Sequence, residues 1–454
     1  MTITGILFMI AFFAGCMLAL VRHPIYGLLA YVGEFFLHPP SRWWGQGMLL
    51  GIRWSFIGAA VTLLAIFVHR KKLIGSPSIF KHRIAVVYYL FIFWLLVQSL
   101  WALDFNAHWE FFSYYVKFGL TLFLFYKCID SEKHLRWFLC THVLGCFYFG
   151  WIAFTSYEGG RFEDFGGPGL SEANAGALTI VTGILAASAL FLYGKKLDKA
   201  VLLVLLPIIM NGLVTTISRS GFLSAIFGGV IFNYFTPKGF TRRVRILSVL
   251  AIVLFGMLTG PAYWQRINSI KQMGEEIEGV DTGSGRLVIL TSQIRMFIDH
   301  PLGCGATCTA VLSRMYMEDK YLTGEGEDRA RASHNTYFTM LVEHGIPGII
   351  LYFLMIIFMI SELRMVAQML KVSQHESDFL TFALPAIASM LAAAFLCDLF
   401  ASYAKFEIRV WLLGALMALV NIVLATSDKS KVSNSKSVTS KRWGVRAGSM
   451  HGSI

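Results

Sequence analysis

Long apolar runs follow one another along the chain, at residues 4–21, 51–68, 84–100, 109–126, 137–154, 174–193, 200–217, 221–235, 246–260, 346–362, 379–397 and 408–425. Nearly uncharged runs of about 20 residues are what a helix needs to cross the hydrocarbon core of a bilayer. Lipid offers no hydrogen-bond partners, so such runs must close their backbone bonds internally, as helices. The pattern predicts an all-α, polytopic membrane protein with about 12 transmembrane helices. Segment 24–37 is also apolar, but shorter, and is bounded by His23-Pro24 and His38-Pro39-Pro40. It reads as a re-entrant or interfacial helix, or as the second half of a broken first span. Whether it crosses decides between twelve and thirteen passes.

One connection departs from the short loops elsewhere. Residues 261–345 are polar and mixed in charge. A structureless loop of that length is unusual, so helices are expected in it. Ser284 can cap a helix over 285–299, ended by Pro301. A second helix is expected over 306–319, and Gly324-Glu325-Gly326-Glu327-Asp328 reads as flexible. A third helical stretch runs from Ser333, a natural N-cap, through His344, with Gly345 and Pro347 marking a stop or kink. The chain thus divides into an N-terminal bundle of about nine spans over 1–260, the large loop 261–345, three spans over 346–425, and a Ser/Lys-rich tail, 426–454, expected to be disordered. No internal repeat stands out.

Composition agrees: 56% of residues are apolar and 15% charged. The net charge of +12 could suggest a nucleic-acid partner. Its distribution excludes one, because the bases sit in short loops between apolar runs. Arg70, Lys71, Lys72, Lys81 and Arg83 form one cluster; Lys127, Lys133 and Arg136 another; Lys195, Lys196 and Lys199 a third; Lys238, Arg242, Arg243 and Arg245 a fourth. The tail adds Lys429, Lys431, Lys436, Lys441, Arg442 and Arg446. These clusters alternate so as to share one side, which the positive-inside rule makes cytoplasmic. The opposite loops are poor in base, and 155–173 holds only Arg161 among Glu158, Glu163, Asp164 and Glu172. The first run lacks a basic n-region and a small-residue exit, so it reads as a retained span. Cys16, Cys128, Cys140, Cys146 and Cys397 lie in or beside apolar runs. Cys304 and Cys308 lie in the loop; a disulfide there needs an oxidising compartment, and a spacing of four on a helix is poor geometry for one. No CxxC pair or suitably spaced His supports zinc.

Three places carry candidate chemistry. Ser218-Arg219-Ser220-Gly221 falls between two apolar runs on the base-poor side, where an arginine is costly unless used. It can face a phosphate beside a helix N-terminus, or snorkel to lipid. Arg286 opens the expected loop helix, again at an anion-favouring terminus, or is simply solvated there. His334-Asn335-x-Tyr337 opens the last stretch, where a histidine kept neutral by the helix dipole can serve as general base. A satisfied interfacial histidine is the alternative. His344, near a helix end, reads as a carbonyl cap. Arg53 with Glu34, the set Asp398, Lys405 and Arg409, and Arg161 with Asn174 beside the turn-rich stretch 166–174 are weaker candidates, each open to a snorkelling or capping role.

Ser-Arg-Ser-Gly between two spans, a long loop on the base-poor side, and His-Asn-x-Tyr followed by Glu-His-Gly-Ile-Pro-Gly resemble the O-antigen ligase family. These are inner-membrane glycosyltransferases related to O-antigen polymerases and bacterial protein O-oligosaccharyltransferases. The N-terminal half also looks like a branch of putative O-glycosylation ligases. The resemblance covers the hydropathy plan of nearly the whole chain; its residue content is confined to 218–221 and 286–348. It implies a GT-C-like bundle with one large periplasmic helical loop. It implies metal-independent transfer of a glycan from undecaprenyl pyrophosphate to lipid A-core in the periplasmic leaflet, with no cofactor, by a monomer. Arg219 and Arg286 would hold the pyrophosphate, assisted by Ser218, Ser220, Asn335 and Tyr337, and His334 would activate the acceptor hydroxyl. The chemistry is coherent. Without a metal motif, arginines must stabilise the leaving pyrophosphate, and direct displacement by one acceptor would invert the anomeric centre. No glycosidase-type carboxylate pair stands out, although Glu325, Glu327 and Asp328 lie in the loop. A protein O-glycan ligase or a polymerase would share the donor and differ in acceptor. A polysaccharide flippase would show inverted repeats and charges at mid-membrane, whereas here the notable charges lie at one face.

Overall fold

The computed structural model describes residues 2–71, 73, 77–268, 285–322, 330–331, 333–372, 379–402 and 405–426. The expected helix over 285–299 is present, but its cap Ser284, the Gly324–Asp328 stretch and the tail beyond 426 lie outside the described residues. The helices are α1 (Ile3–Val21), α2 (Ile25–Leu37), α3 (Trp54–Val68), α4 (Arg83–Gln98), α5 (Phe105–Cys128), α6 (Glu132–Ser156), α7 (Ala173–Tyr193), α8 (Lys196–Thr215), α9 (Arg219–Phe235), α10 (Thr241–Leu258), α11 (Pro261–Asn268), α12 (Gly285–Asp299), α13 (Cys308–Tyr316), α14 (Thr336–Val372), α15 (Phe379–Cys397) and α16 (Glu407–Thr426). No β-strand forms among the described residues.

Seven of these, α1, α6, α7, α8, α14, α15 and α16, are long and apolar enough to cross a membrane. The remaining apolar runs fold as helices too. However, α3 and α4 have only 15 and 16 residues, α9 has 17, and α10 carries Arg242, Arg243 and Arg245 at its start. Polar side chains at helix entries set the boundaries. Thr2, Asp104, Ser131 and Ser218 each accept a hydrogen bond from a first-turn amide, which satisfies an otherwise orphaned donor.

Helices α7, α15 and α16 are buried almost all round. Alanine and glycine make this compatible with close packing: a Cβ added at Gly228 would come within 2.8 Å of Leu185, and one at Gly221 within 2.6 Å of Ala177. Small residues let helix backbones approach where lipid supplies no hydrophobic drive between helices. In contrast, α1 and α10 turn Leu7, Ile10, Met17, Val249, Leu250 and Ile252 outward.

Side-chain bonds stitch the connections at each end of the bundle. At the base-poor end, Arg42 joins the α2–α3 connection to Phe165 O at 2.8 Å. Phe162 N meets Thr215 O at 3.0 Å, and Leu103 N meets Cys304 O at 2.9 Å. At the basic end His23 reaches Asp130 at 3.0 Å, Arg136 reaches Asp198 at 3.1 Å, and His82 bridges Glu362 and Asn421 at 3.1 and 3.2 Å. Helix α2 runs between these two ends, although its 13 residues span only about 20 Å at 1.5 Å per residue. Arg42 caps its far end, donating to Leu37 O at 2.9 Å and Phe36 O at 3.0 Å. A cation on the last carbonyls of a helix also suits its dipole.

Several expectations are corrected. Cys304 and Cys308 are joined as a disulfide with Cα atoms 5.8 Å apart. The spacing argument against it assumed a helix, but the intervening chain is a turn in which Gly305 and Thr307 take positive φ, and α13 starts only at Cys308. The second loop helix is accordingly shorter than the expected 306–319. Glu34 does not bond Arg53; it accepts from Ser55 at 2.6 Å and lies 3.6 Å from His38. The break at Gly345 is as the sequence predicts. This residue has φ 66°, and an added Cβ would lie 2.2 Å from the Leu302 carbonyl carbon.

Candidate active site

The α8–α9 turn is tight and strained. Ile217 holds φ 45°, a left-handed conformation that a β-branched residue adopts only under constraint. Ser218 Oγ accepts from Gly221 N at 3.0 Å and donates to Asn174 Oδ1 at 2.7 Å, with Ser220 Oγ 3.1 Å away. Arg219 is the first residue of α9 and is half-buried. Asn174 Oδ1 also accepts from Arg161 Nη2 at 2.9 Å, and Arg161 Nε donates to Thr216 O at 3.3 Å. Thus Arg161 and Asn174, distant in sequence, clasp the Ser-Arg-Ser-Gly turn. Two guanidinium-bearing residues belong to the two chain segments that meet at the α9 N-terminus, a setting that favours an anion.

The second segment precedes α14. His334 is exposed and holds φ 49°. The N-cap here is Asn335, not Ser333. Asn335 Oδ1 accepts from Tyr337 N at 3.0 Å and Phe338 N at 3.2 Å. Ser333 instead donates to Asn335 O at 2.9 Å. Asn335 Nδ2 donates to Leu399 O at 3.2 Å, Tyr337 OH to Phe395 O at 2.8 Å, and Thr336 N to Asp398 O at 2.8 Å. His334 is therefore presented at the positive end of a short helix, on a segment pinned from both sides.

The end of α15 joins the two segments. Ser220 of the α8–α9 turn contacts Cys397, the last residue of α15. The next residue, Asp398, is fully buried; it takes Thr336 Oγ1 at 2.9 Å, the Tyr352 hydroxyl and the Arg409 guanidinium. Tyr352 OH also accepts from Arg409 Nη1 at 2.9 Å. Asp398 and Arg409 were weak sequence candidates; their signal was an ionisable pair beside an apolar run. Arg42 carries no comparable signal in the sequence. Lys405 sits over Tyr114, 4.8 Å from its ring centre.

Arg286 lies in the first turn of α12, as expected; its side chain is outside the described residues. The described side-chain bonds of Ser218, Ser220, Asn335 and Tyr337 tie the two motif segments to their neighbours. His344 does not cap carbonyls. It is buried, with Nδ1 at 2.9 Å from Gln98 Oε1, and Gln98 Nε2 donates to Glu343 O at 2.6 Å. This network ties α4 to the kink in α14.

The described residues that gather three metal-type ligand atoms are His23, Asp130 and His134. They lie at the basic end, away from the motif segments. Ile25 N donates to His23 Nδ1 at 3.1 Å. That leaves the proton of a neutral His23 on Nε2, facing Asp130, rather than a lone pair for a metal. Burial pushes the Asp130 carboxyl up, but the hydrogen bonds from His134 and His23 prevail and hold it well below the usual carboxylate range. The cluster reads as a hydrogen-bonded clamp.

Residues 200–353 match the family model described as O-Antigen ligase. The matched region contains the Ser218–Gly221 turn, Arg286 and the His334–Tyr337 segment, and it agrees with the family that these motifs resemble. No curated protein matches the chain.

Proposed function

We propose that this multi-pass protein is an O-antigen ligase of the bacterial inner membrane. It transfers a glycan from undecaprenyl pyrophosphate to lipid A-core on the periplasmic side, with inversion and without a metal. The reading is carried by one observation. Residues of the O-antigen ligase match that lie more than a hundred positions apart in sequence, the Ser218–Gly221 turn and the His334 segment, both meet the end of α15. In this reading Arg219 and Arg286 hold the pyrophosphate and stabilise its charge as the anomeric bond breaks. His334 takes the proton of the acceptor hydroxyl as that oxygen attacks the anomeric carbon. Ser218, Ser220, Asn335 and Tyr337 keep these groups in place, and the strain at Ile217 and His334 is consistent with a pre-organised site.

Orientation follows from the basic clusters, with the basic end cytoplasmic and residues 261–345 periplasmic. A Cys304–Cys308 disulfide supports this, since such bonds persist in oxidising compartments. The contacts of His23 with the basic end and of Arg42 with the opposite end favour thirteen passes over twelve, because α2 then crosses. The divisions remain a bundle over 1–260, the loop 261–345, and the last three spans over 346–425. The test is reconstitution with a purified lipid-linked glycan, offering lipid A-core, a glycan repeat and a pilin peptide in parallel. Transfer to lipid A-core is expected. Transfer only to the glycan repeat or the peptide would reassign the acceptor, and no transfer at all would sink the enzyme reading.

A further inference from the structure

At the basic end of the bundle, an open cavity of about 200 Å³ is lined by Phe191, Leu192, Lys199, Arg243, Ile246 and Leu247. Beside it α10 packs loosely: of its 18 residues only Val244 is buried. The cavity is chemically two-sided. Lys199 and Arg243 are cations at the membrane surface, each resting near a ring, with Lys199 5.7 Å from Phe191 and Arg243 5.5 Å from Phe240. The other four lining residues are apolar. The neighbouring carboxylate, Asp198, is already engaged by Arg136 at 3.1 Å and by the Lys195 amide at 3.0 Å. Neither lining cation has a carboxylate partner among the described residues.

We propose that this cavity binds an anionic phospholipid of the cytoplasmic leaflet. Its phosphate headgroup would lie against Lys199 and Arg243, and the upper part of an acyl chain against Ile246 and Leu247. Basic pockets between transmembrane helices on the cytoplasmic side are suited to such headgroups, whose negative surface potential draws in lysine and arginine. The long basic side chains can lay their stems on apolar surface while their charges meet the phosphate. The lipid would fill the gap beside α10 and so tie that helix to α7 and α8.

Native mass spectrometry of the purified full chain, titrated with phosphatidylglycerol, cardiolipin or phosphatidylethanolamine, tests this. The anionic lipids should bind preferentially, and Lys199→Gln with Arg243→Gln should weaken them by roughly 30-fold, the loss of two surface-scale attractions. The pair Lys238→Gln with Arg242→Gln, equal in charge loss and not lining the cavity, should leave binding unchanged. Leu247→Trp, which fills the cavity and keeps its charges, should also displace the lipid. Equal retention of phosphatidylethanolamine, full binding by the Lys199/Arg243 variant, or an equal loss in the control pair would overturn the proposal. Displacement of the lipid by inorganic phosphate alone would assign the site to a free anion instead, and would equally overturn it.

Discussion

At the base-poor end of the bundle His38, Ile217, Thr307 and His334 hold left-handed backbone, as do nine glycines including Gly166, Gly305 and Gly345. At the basic end no described residue does. A non-glycine residue in that region costs about 1–3 kcal/mol, so strain is concentrated on one face of a bundle whose helices run through both. The bonding differs in the same direction. The base-poor end is closed by buried interactions, among them Arg42 with three carbonyls and Asp398 with Arg409. The basic end combines the largely buried His82–Glu362 pair with partly exposed ones, Arg136–Asp198 and Asp130 with its two histidines. Strain persists only where surroundings over-determine it, and here it flanks both motif segments. The basic clusters lie at the other end, where the positive-inside rule gives them a role in orientation.

The largest contrast should come from His334→Ala. Transfer in a reconstituted assay should fall by roughly 10²–10⁴-fold, the usual worth of a general base, with insertion and folding intact. Retained transfer would remove the base assignment. Arg219→Ala and Arg286→Ala should each lower transfer by about 10²–10³-fold, the scale of losing one donor to a developing oxyanion. Lysine at either position should restore only part, lacking the bidentate fork. Next comes Asp398→Ala, which strands a buried guanidinium and should destabilise by about 3–5 kcal/mol, measured by thermal unfolding in detergent. A negligible shift would mean that Asp398 and Arg409 do not anchor the His334 segment. Asn335→Ala should cost about 1 kcal/mol as a lost N-cap, whereas Ser333→Ala should cost less if Asn335 is the true cap. The smallest effects belong to the basic end. Asp130→Asn should lower stability, because the two histidines hold that carboxyl well below its usual range, while neither this variant nor a chelator should change transfer.

Much of this was legible in the sequence, and for identifiable reasons. Apolar runs and alternating basic loops depend on the bilayer alone, and Pro301, Gly345 and Pro347 are local stop signals, so the helices, the Gly345 break and the helix over 285–299 could be read directly. Features set by a local choice among similar residues were harder. Ser333 and Asn335 are both good caps, and only the structure separates them. The Cys304–Cys308 bond was hidden by assuming a helix where Thr307 adopts φ 66°. Long-range partners were invisible, since nothing in the local sequence pairs Arg42 with Phe165, Asn174 with Ser218, or His344 with Gln98. The candidate site was legible as residue types, while its positioning bonds were not.

The division of labour between the two motif segments is the claim most exposed to test. Donor binding and glycan transfer should be measured side by side in reconstituted Arg219→Ala and His334→Ala variants. The account predicts that Arg219→Ala loses affinity for the lipid pyrophosphate, while His334→Ala binds it normally and loses transfer by roughly 10²–10⁴-fold. Normal donor binding by Arg219→Ala, or normal transfer by His334→Ala, would contradict it.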